Sequence, residues 1–361
     1  MRLFQNARYY PALRPRIREL TKDVPTFSGK IGAFLDFRYS AAHVLQPVDQ
    51  RLDTAFFANG DDADLQRVWA AEHGMSPRAS LPEILKAQIE DHRTEVFYNH
   101  DATGWDADFI KYLPSCVKYK IVWHAVGYTD LTFYDRVVSN FPSILSDMHR
   151  RGCRVDYLFP AYDPELSPFA AREARPIDVL FVGGYSRHHK QRADILEEVA
   201  KLAGNYNVVY YLDRSRLCRL AESPIGRMMP LAKHRRPDSI RMIARDGRFG
   251  RDYYELLSSA KVVLNGSIDM AGEDRGNMRC FEALGARSLL LSDQGNYPDG
   301  MKDGQTIATY GSAEQAVIQV KTLLEDSDKR LSIAQAGHQM VSTRYSKEAQ
   351  WKRFEALVAS I

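Results

Sequence analysis

The sequence predicts an α/β protein made of two Rossmann-like domains, each a doubly wound parallel sheet. Three observations predict it. The chain has 361 residues, enough to bury two separate cores. Short apolar, β-branched runs recur along its length, separated by stretches with helical spacing. These runs lack clean apolar–polar alternation, as expected of strands buried on both faces.

In chain order the predicted strands are IGAFLD (31–36), TAFFA (54–58), EVFY (95–98), KIVW (120–123), DRVVS (135–139) and VDYLF (155–159), followed by DVLFV (178–182), VVYYL (208–212), VVLN (262–265), SLLLS (288–292) and TIAT (306–309). Between them, Ile195, Leu196, Val199 and Leu202 exemplify a single apolar helix face. The segment 160–176 holds four prolines and no strong period, which reads as an interdomain linker. The expected division is a first domain over 1–160, a linker over 161–176, a second domain over 177–345 and a closing helix over 346–361. Ser346 suits the N-cap of that helix, Glu348 its first turn, and Trp351, Phe354, Leu357 and Val358 form its apolar stripe.

Composition bounds the function. Hydrophobic residues at 45% and charged residues at 26% are ordinary for a soluble globular chain. A net charge of +3 is too small to imply nucleic-acid binding. Two stretches are locally basic: Arg2, Arg8, Arg14, Arg16 and Arg18, and then Lys233 to Arg251. Such clusters attract phosphate diesters, anionic lipid headgroups or nucleic acid, or are simply solvated. Cys116, Cys153, Cys218 and Cys280 are scattered, with no C-x-x-C pair, so reduced thiols are expected rather than a zinc site or disulfides. No apolar run reaches the ~18 residues of a membrane span, and no signal peptide is visible. The expectation is a cytoplasmic protein, with peripheral contact at the inner face of the membrane as a further reading.

Two segments carry chemistry. DVLFVGGYSRHHKQRADIL (178–196) is a strand, two glycines, a basic loop and a helix. Gly183 and Gly184 allow backbone N–H groups to approach phosphate, the helix N-terminus adds its dipole, and Arg187 and Lys190 add charge. It is neither a G-x-G-x-x-G fingerprint nor a P-loop, and a plain βα surface turn accounts for it equally. In 253–293 a helix leads to a strand ending at Asn265, then to a polar loop. That loop delivers Asp274, Asn277, Arg279 and Glu282 to the start of a further helix. A carboxylate can hold a sugar diol by accepting two hydrogen bonds; equally, Glu282 can be a helix-start carboxylate complementing the macrodipole.

The pieces AKVVLN, NMRCFEALG and LLLSD, with the closing segment 313–354, resemble the donor half of retaining GT-B glycosyltransferases of the spore-maturation-protein type. The resemblance covers nearly the whole C-terminal half. It implies a GT-B fold, with two Rossmann-like domains facing across a cleft, and makes 177–345 the donor domain, 1–160 the acceptor domain and 346–361 a helix returning to the first domain, with Trp351 and Phe354 at that contact. It implies that Glu282 binds the donor ribose, that Asp274 contacts the donor sugar and that Lys190 neutralises the diphosphate. Arg187 or Arg279 supplies a second positive charge. The chain departs from the family at three places: Gly184 stands where an arginine is usual, the first acid is Asp rather than Glu, and Gly285 follows Glu282 early, with Arg287 near the usual glycine position.

In the first half, His100 and Asp101 end one strand and His124 ends the next, resembling strand ends of the family's acceptor domain. His124 would then bond the donor near the reaction centre, although a lone histidine is as often structural. Asp36, Tyr39 and His43 lie where the family places an acceptor loop. The function implied is transfer of a sugar from a nucleotide-diphosphate sugar to an acceptor hydroxyl, retaining and metal-independent. No resident cofactor is implied, and the acceptor is a glycan, lipid-linked or small molecule of bacterial surface polysaccharide synthesis. Three alternatives stay open: a nucleotide-sugar epimerase of the same fold, a non-catalytic nucleotide-sugar-binding protein, and a nucleic-acid or membrane-surface binder.

Overall fold

The computed structural model describes residues 1–361 except 126–128, 187–188 and 268–271. It divides into two compact units: residues 1–161 with 347–361, and residues 162–346. Each contains one six-stranded, wholly parallel sheet.

The first sheet holds β1 (Leu3–Ala7), β2 (Ala55–Asn59), β3 (Val96–Asn99), β4 (Tyr119–Trp123), β5 (Arg136–Ser139) and β6 (Val155–Tyr157), in the order β2-β1-β3-β4-β5-β6. One expected strand fails here and one strand was not foreseen. IGAFLD is not a strand; it lies in the helix Phe27–Phe37, where Ile31, Phe34 and Leu35 are buried at helical spacing. The Thr26 hydroxyl caps that helix by accepting from the Gly29 N–H. The unforeseen strand is β1, LFQNA, whose Gln5 and Asn6 disguise it. Both amides are buried yet satisfied at long range. Gln5 donates to the His43 carbonyl (2.9 Å) and accepts from the Leu45 N–H (3.0 Å). Asn6 donates to Asn99 (2.8 Å) and accepts from the Gly60 N–H (3.0 Å).

The helix Lys347–Ala359 closes this unit. Phe354 is fully buried, with its ring centroid 5.0 Å from that of Tyr98 and 5.6 Å from that of Trp351. The Lys347 ammonium is buried and donates to the carbonyls of Ala41 and Val44. Gln350 reaches the carbonyls of Ala42 (3.1 Å) and Phe159 (2.8 Å). These buried donors thus find carbonyl partners, as their desolvation demands.

The second sheet holds β7 (Ile177–Gly184), β8 (Val208–Asp213), β9 (Ala244–Asp246), β10 (Ala260–Leu264), β11 (Leu289–Asp293) and β12 (Ala308–Tyr310), in the order β12-β11-β10-β7-β8-β9. The short β9 has no counterpart among the predicted runs. The core joins Val179, Phe181, Val262, Leu264, Leu289 and Leu291 of the sheet to Ile195, Leu196 and Val199 of the helix Lys190–Ala200 and to Val320 and Ile333 of later helices. Within 160–176, the single-turn helices Pro164–Leu166 and Ser167–Ala170 belong to this unit. Leu166 and Tyr162 press on Gly285, where an added Cβ would lie 2.7 Å from Leu166 Cδ1. The early glycine after Glu282 is therefore a packing requirement of this chain.

Candidate functional site

In each sheet the first strand lies inside, and the chain builds outward first on one side of it and then on the other. β1 lies between β2 and β3, and β7 between β8 and β10. The connections leaving these neighbouring strands diverge, opening a crevice beyond their carboxyl ends. Ligands of such sheets bind there.

In the second unit that point is formed by Gly183 and Gly184 at the end of β7 and Asn265 just after β10. Asn265 is buried and organises its neighbours. Its side-chain oxygen accepts from Arg279 Nη1 (2.9 Å) and Asn277 Nδ2 (3.3 Å), while its amide donates to Ser292 Oγ (3.0 Å). Arg279 also stands over the Phe181 ring, 5.5 Å from its centroid. Gly183 has φ +153, and a Cβ there would come 3.0 Å from Arg279 Nη2. Glycine thus both tolerates the backbone angle and clears the guanidinium.

Glu282 lies in the helix Met278–Gly285, 5% exposed. Burial raises its carboxyl to about 7, opposed by the positive charge of Arg279 and a hydrogen bond from the Tyr253 hydroxyl. Burial and the Glu282 charge together raise the Tyr253 phenol far above its ordinary value. The acid is poised between charge states at neutral pH, so a ligand that donates hydrogen bonds to it will favour its ionised form. Cys280, beside this cluster, is no nucleophile: burial pushes its thiol up to about 12.

A buried ion pair fixes the loop before that helix. Arg275 Nε meets Asp293 Oδ2 at 2.7 Å, and Asp293 also accepts from the Ser267 N–H (3.0 Å) and hydroxyl (2.6 Å). Arg275 further donates to the carbonyls of Gly272 (2.7 Å) and Asp274 (3.0 Å). Asp274 is buried and bridges to Asn296 through the backbone. Lys190 is exposed at the first position of the helix Lys190–Ala200. Gly184 is exposed at the strand end. Arg187 lies outside the described residues.

In the first unit the corresponding point joins Arg8, after β1, to Asp101, after β3. Arg8 Nη1 lies 3.5 Å from Asp101 Oδ1. Burial raises the Asp101 carboxyl, and Arg8 opposes it. Asn99, bonded to Asn6, also donates to the Tyr134 hydroxyl (2.7 Å). Nearby, His100 stacks on Trp123 (5.5 Å, 11°) and His43 packs against both rings (4.6 Å from Trp123 and 5.4 Å from His100). Desolvation holds both imidazoles neutral: His43 falls to about 3, helped by Lys347, and His100 falls well below its usual range. His124 is buried, and its N–H donates to the Val138 carbonyl (2.9 Å). Asp36 is exposed and pairs with Arg51. Tyr39 is half-buried in the turn that follows.

The structure therefore brings Gly183, Asn277, Arg279 and Glu282 together in the second unit, and His43 and His100 in the first. Sequence reading missed the roles of Tyr253, Asn265 and Arg275, and of Arg8 and Asn99. Asn265 had a signal, since it ends a predicted strand; Tyr253 had none, being one aromatic of a helix stripe.

Residues 232–356 match the family model of glycosyl transferase-like proteins. Among solved structures, HepE of Anabaena, bound to UDP and glucose, superposes with a TM-score of 0.63 at 12% identity, covering 100% of both chains. A glycosyltransferase from Rickettsia africae gives 0.57 at 11% identity, covering 99% of this chain and 97% of the other. Sucrose-phosphate synthase from Thermosynechococcus elongatus gives 0.51 at 14%, covering 79% and 80%. The chain has the GT-B glycosyltransferase fold. No curated protein matches the chain by sequence.

Proposed function

We propose that this GT-B chain transfers a sugar from a nucleotide-diphosphate sugar to an acceptor hydroxyl. The observation that carries the proposal is the cluster at the β7/β10 switch point: a buried carboxyl raised to about 7, held by Tyr253 and Arg279, with Gly183 and Gly184 at the adjoining strand end. In this reading Glu282 accepts hydrogen bonds from the donor ribose diol, and Asp274 orients the sugar. Arg279, Lys190 and the N-terminus of the helix Lys190–Ala200 stabilise the charge that develops on the leaving diphosphate. That arrangement works without a metal. It leaves the departing phosphate able to take the acceptor proton, as a configuration-retaining transfer requires. His43, His100 and Asp101 belong to the acceptor side, with His124 near the reacting atoms. UDP in HepE supports a uridine nucleotide as the first donor to try.

Donor binding stabilises the native state by mass action, so a thermal-shift series with nucleotide sugars tests the reading directly. The wild type should shift with at least one donor, and Glu282→Ala should lose that shift while keeping its fold. No shift with any nucleotide sugar would overturn the proposal. Production of an epimer or free sugar without any acceptor would favour the epimerase reading instead.

A further inference from the structure

Between β8 and the helix Arg251–Ser258, residues 214–250 carry ten arginines and lysines against three carboxylates, a net charge of +7 in a chain whose total is +3. The same segment exposes six large aliphatic side chains: Leu217, Leu220, Ile225, Met228, Met229 and Met242. Met228 is 90% exposed, Met242 74% and Ile225 72%. Leu217 and Leu220 stand three positions apart on the helix Arg216–Glu222, on one side of it, with Arg216 and Arg219 beside them.

The segment is folded, so these side chains are displayed rather than merely loose. Arg236 grips Glu222 through two nitrogens (2.6 and 2.7 Å), and Arg235 donates to the carbonyls of Ala221 (3.0 Å) and Gly226 (3.3 Å). The same segment lines a cavity of about 630 Å³, where Arg214, Arg236, Arg241, Arg245 and Met242 stand with Glu222, Asp238 and Asp246. One folded segment thus displays both cationic heads and bare aliphatic tips.

We propose that residues 214–250 dock the C-terminal unit on an anionic lipid bilayer. The aliphatic tips enter the acyl boundary and the guanidinium groups meet lipid phosphates. Either feature alone has a plain explanation; together they match the two attractions that hold peripheral proteins on charged membranes. Unbranched methionine side chains adapt to a disordered apolar phase. Nucleic acid shares the charge preference but rewards aromatic stacking, and among the described residues of this segment every exposed large apolar side chain is aliphatic. The proposal does not depend on the sugar-transfer reading.

The test is co-sedimentation of the full chain with vesicles of phosphatidylglycerol and phosphatidylcholine, or of phosphatidylcholine alone. Two variants accompany it: Ile225→Ser/Met228→Ser/Met242→Ser and Arg216→Gln/Arg219→Gln/Arg245→Gln. The wild type should bind anionic vesicles and release them as salt rises. Each triple variant should weaken that binding about tenfold or more with an unchanged melting temperature. Equal binding to both vesicle types, or binding that neither variant alters, overturns the proposal. So does tighter binding to duplex DNA or RNA that survives the serine substitutions, or a self-association that only they abolish.

Discussion

The two units place the same topological crevice in opposite electrostatic settings. At the β1/β3 point of the first unit, His43 and His100 are held neutral against Trp123, and Asp101 faces the half-exposed Arg8. At the β7/β10 point of the second, charge is kept and organised: Arg275 with Asp293, and Arg279 with Glu282 and Asn265. One fold thus sets neutral imidazoles against an aromatic ring in one place and gathers arginines with carboxyl groups in the other. The teaching is that topology sets where a ligand binds, while the residues after each strand set what kind.

The largest expected effect concerns the buried ion pair. Arg275→Ala leaves the Asp293 carboxylate buried without its partner, which should cost about 3–5 kcal/mol in urea unfolding. Arg8→Ala removes a half-exposed partner standing 3.5 Å from the buried Asp101, whose carboxyl burial already raises towards its neutral form, and should cost less, about 1–2 kcal/mol. Equal losses would break the comparison.

The pH dependences should have opposite signs. Glu282 has a native value of about 7 against 4.5 in the unfolded chain, so the native state holds the extra proton between them. Its contribution favours folding below about 4.5 and is lost as pH rises to about 7, on the order of 3 kcal/mol in full. Glu282→Gln should remove that slope. His43, and His92, which burial lowers to about 4, run the other way. The unfolded chain binds their protons first, so the stability they contribute is present above 6.5 and drains away as pH falls towards 4. Urea melts from pH 5 to 8, comparing the wild type with Glu282→Gln and His43→Gln, separate the two.

A third expectation sharpens the donor side. Because a diol donates to the ionised form, nucleotide-sugar affinity should rise as pH passes through about 7 in the wild type and stay flat in Glu282→Gln. The smallest effect is that of Gly183→Ala, which crowds Arg279. It should weaken donor binding about tenfold by titration calorimetry while moving the melting temperature little.

Much of this was legible beforehand. The buried runs of the second unit stand where the strands were expected, because apolar β-branched clusters have few other uses. The loop 274–282 was legible from its polar residues at a strand–helix junction. β1 was not, since Gln5 and Asn6 become core residues only through partners 38 to 93 positions away. The strand expected at 31–36 erred for the converse reason: its apolar residues also fit a helix face, and length and capping decided the matter.

By itself, then, the sequence determined the fold class and the chain segments that make the loops at the β7/β10 switch point, because hydrophobic period and strand-end chemistry are local properties. Only the tertiary structure decided that Tyr253 meets Glu282, that Arg275 meets Asp293, and that His43 and His100 share a tryptophan. Desolvation and pairing depend on neighbours brought from distant sequence, and those neighbours set the charge state on which each site's chemistry rests.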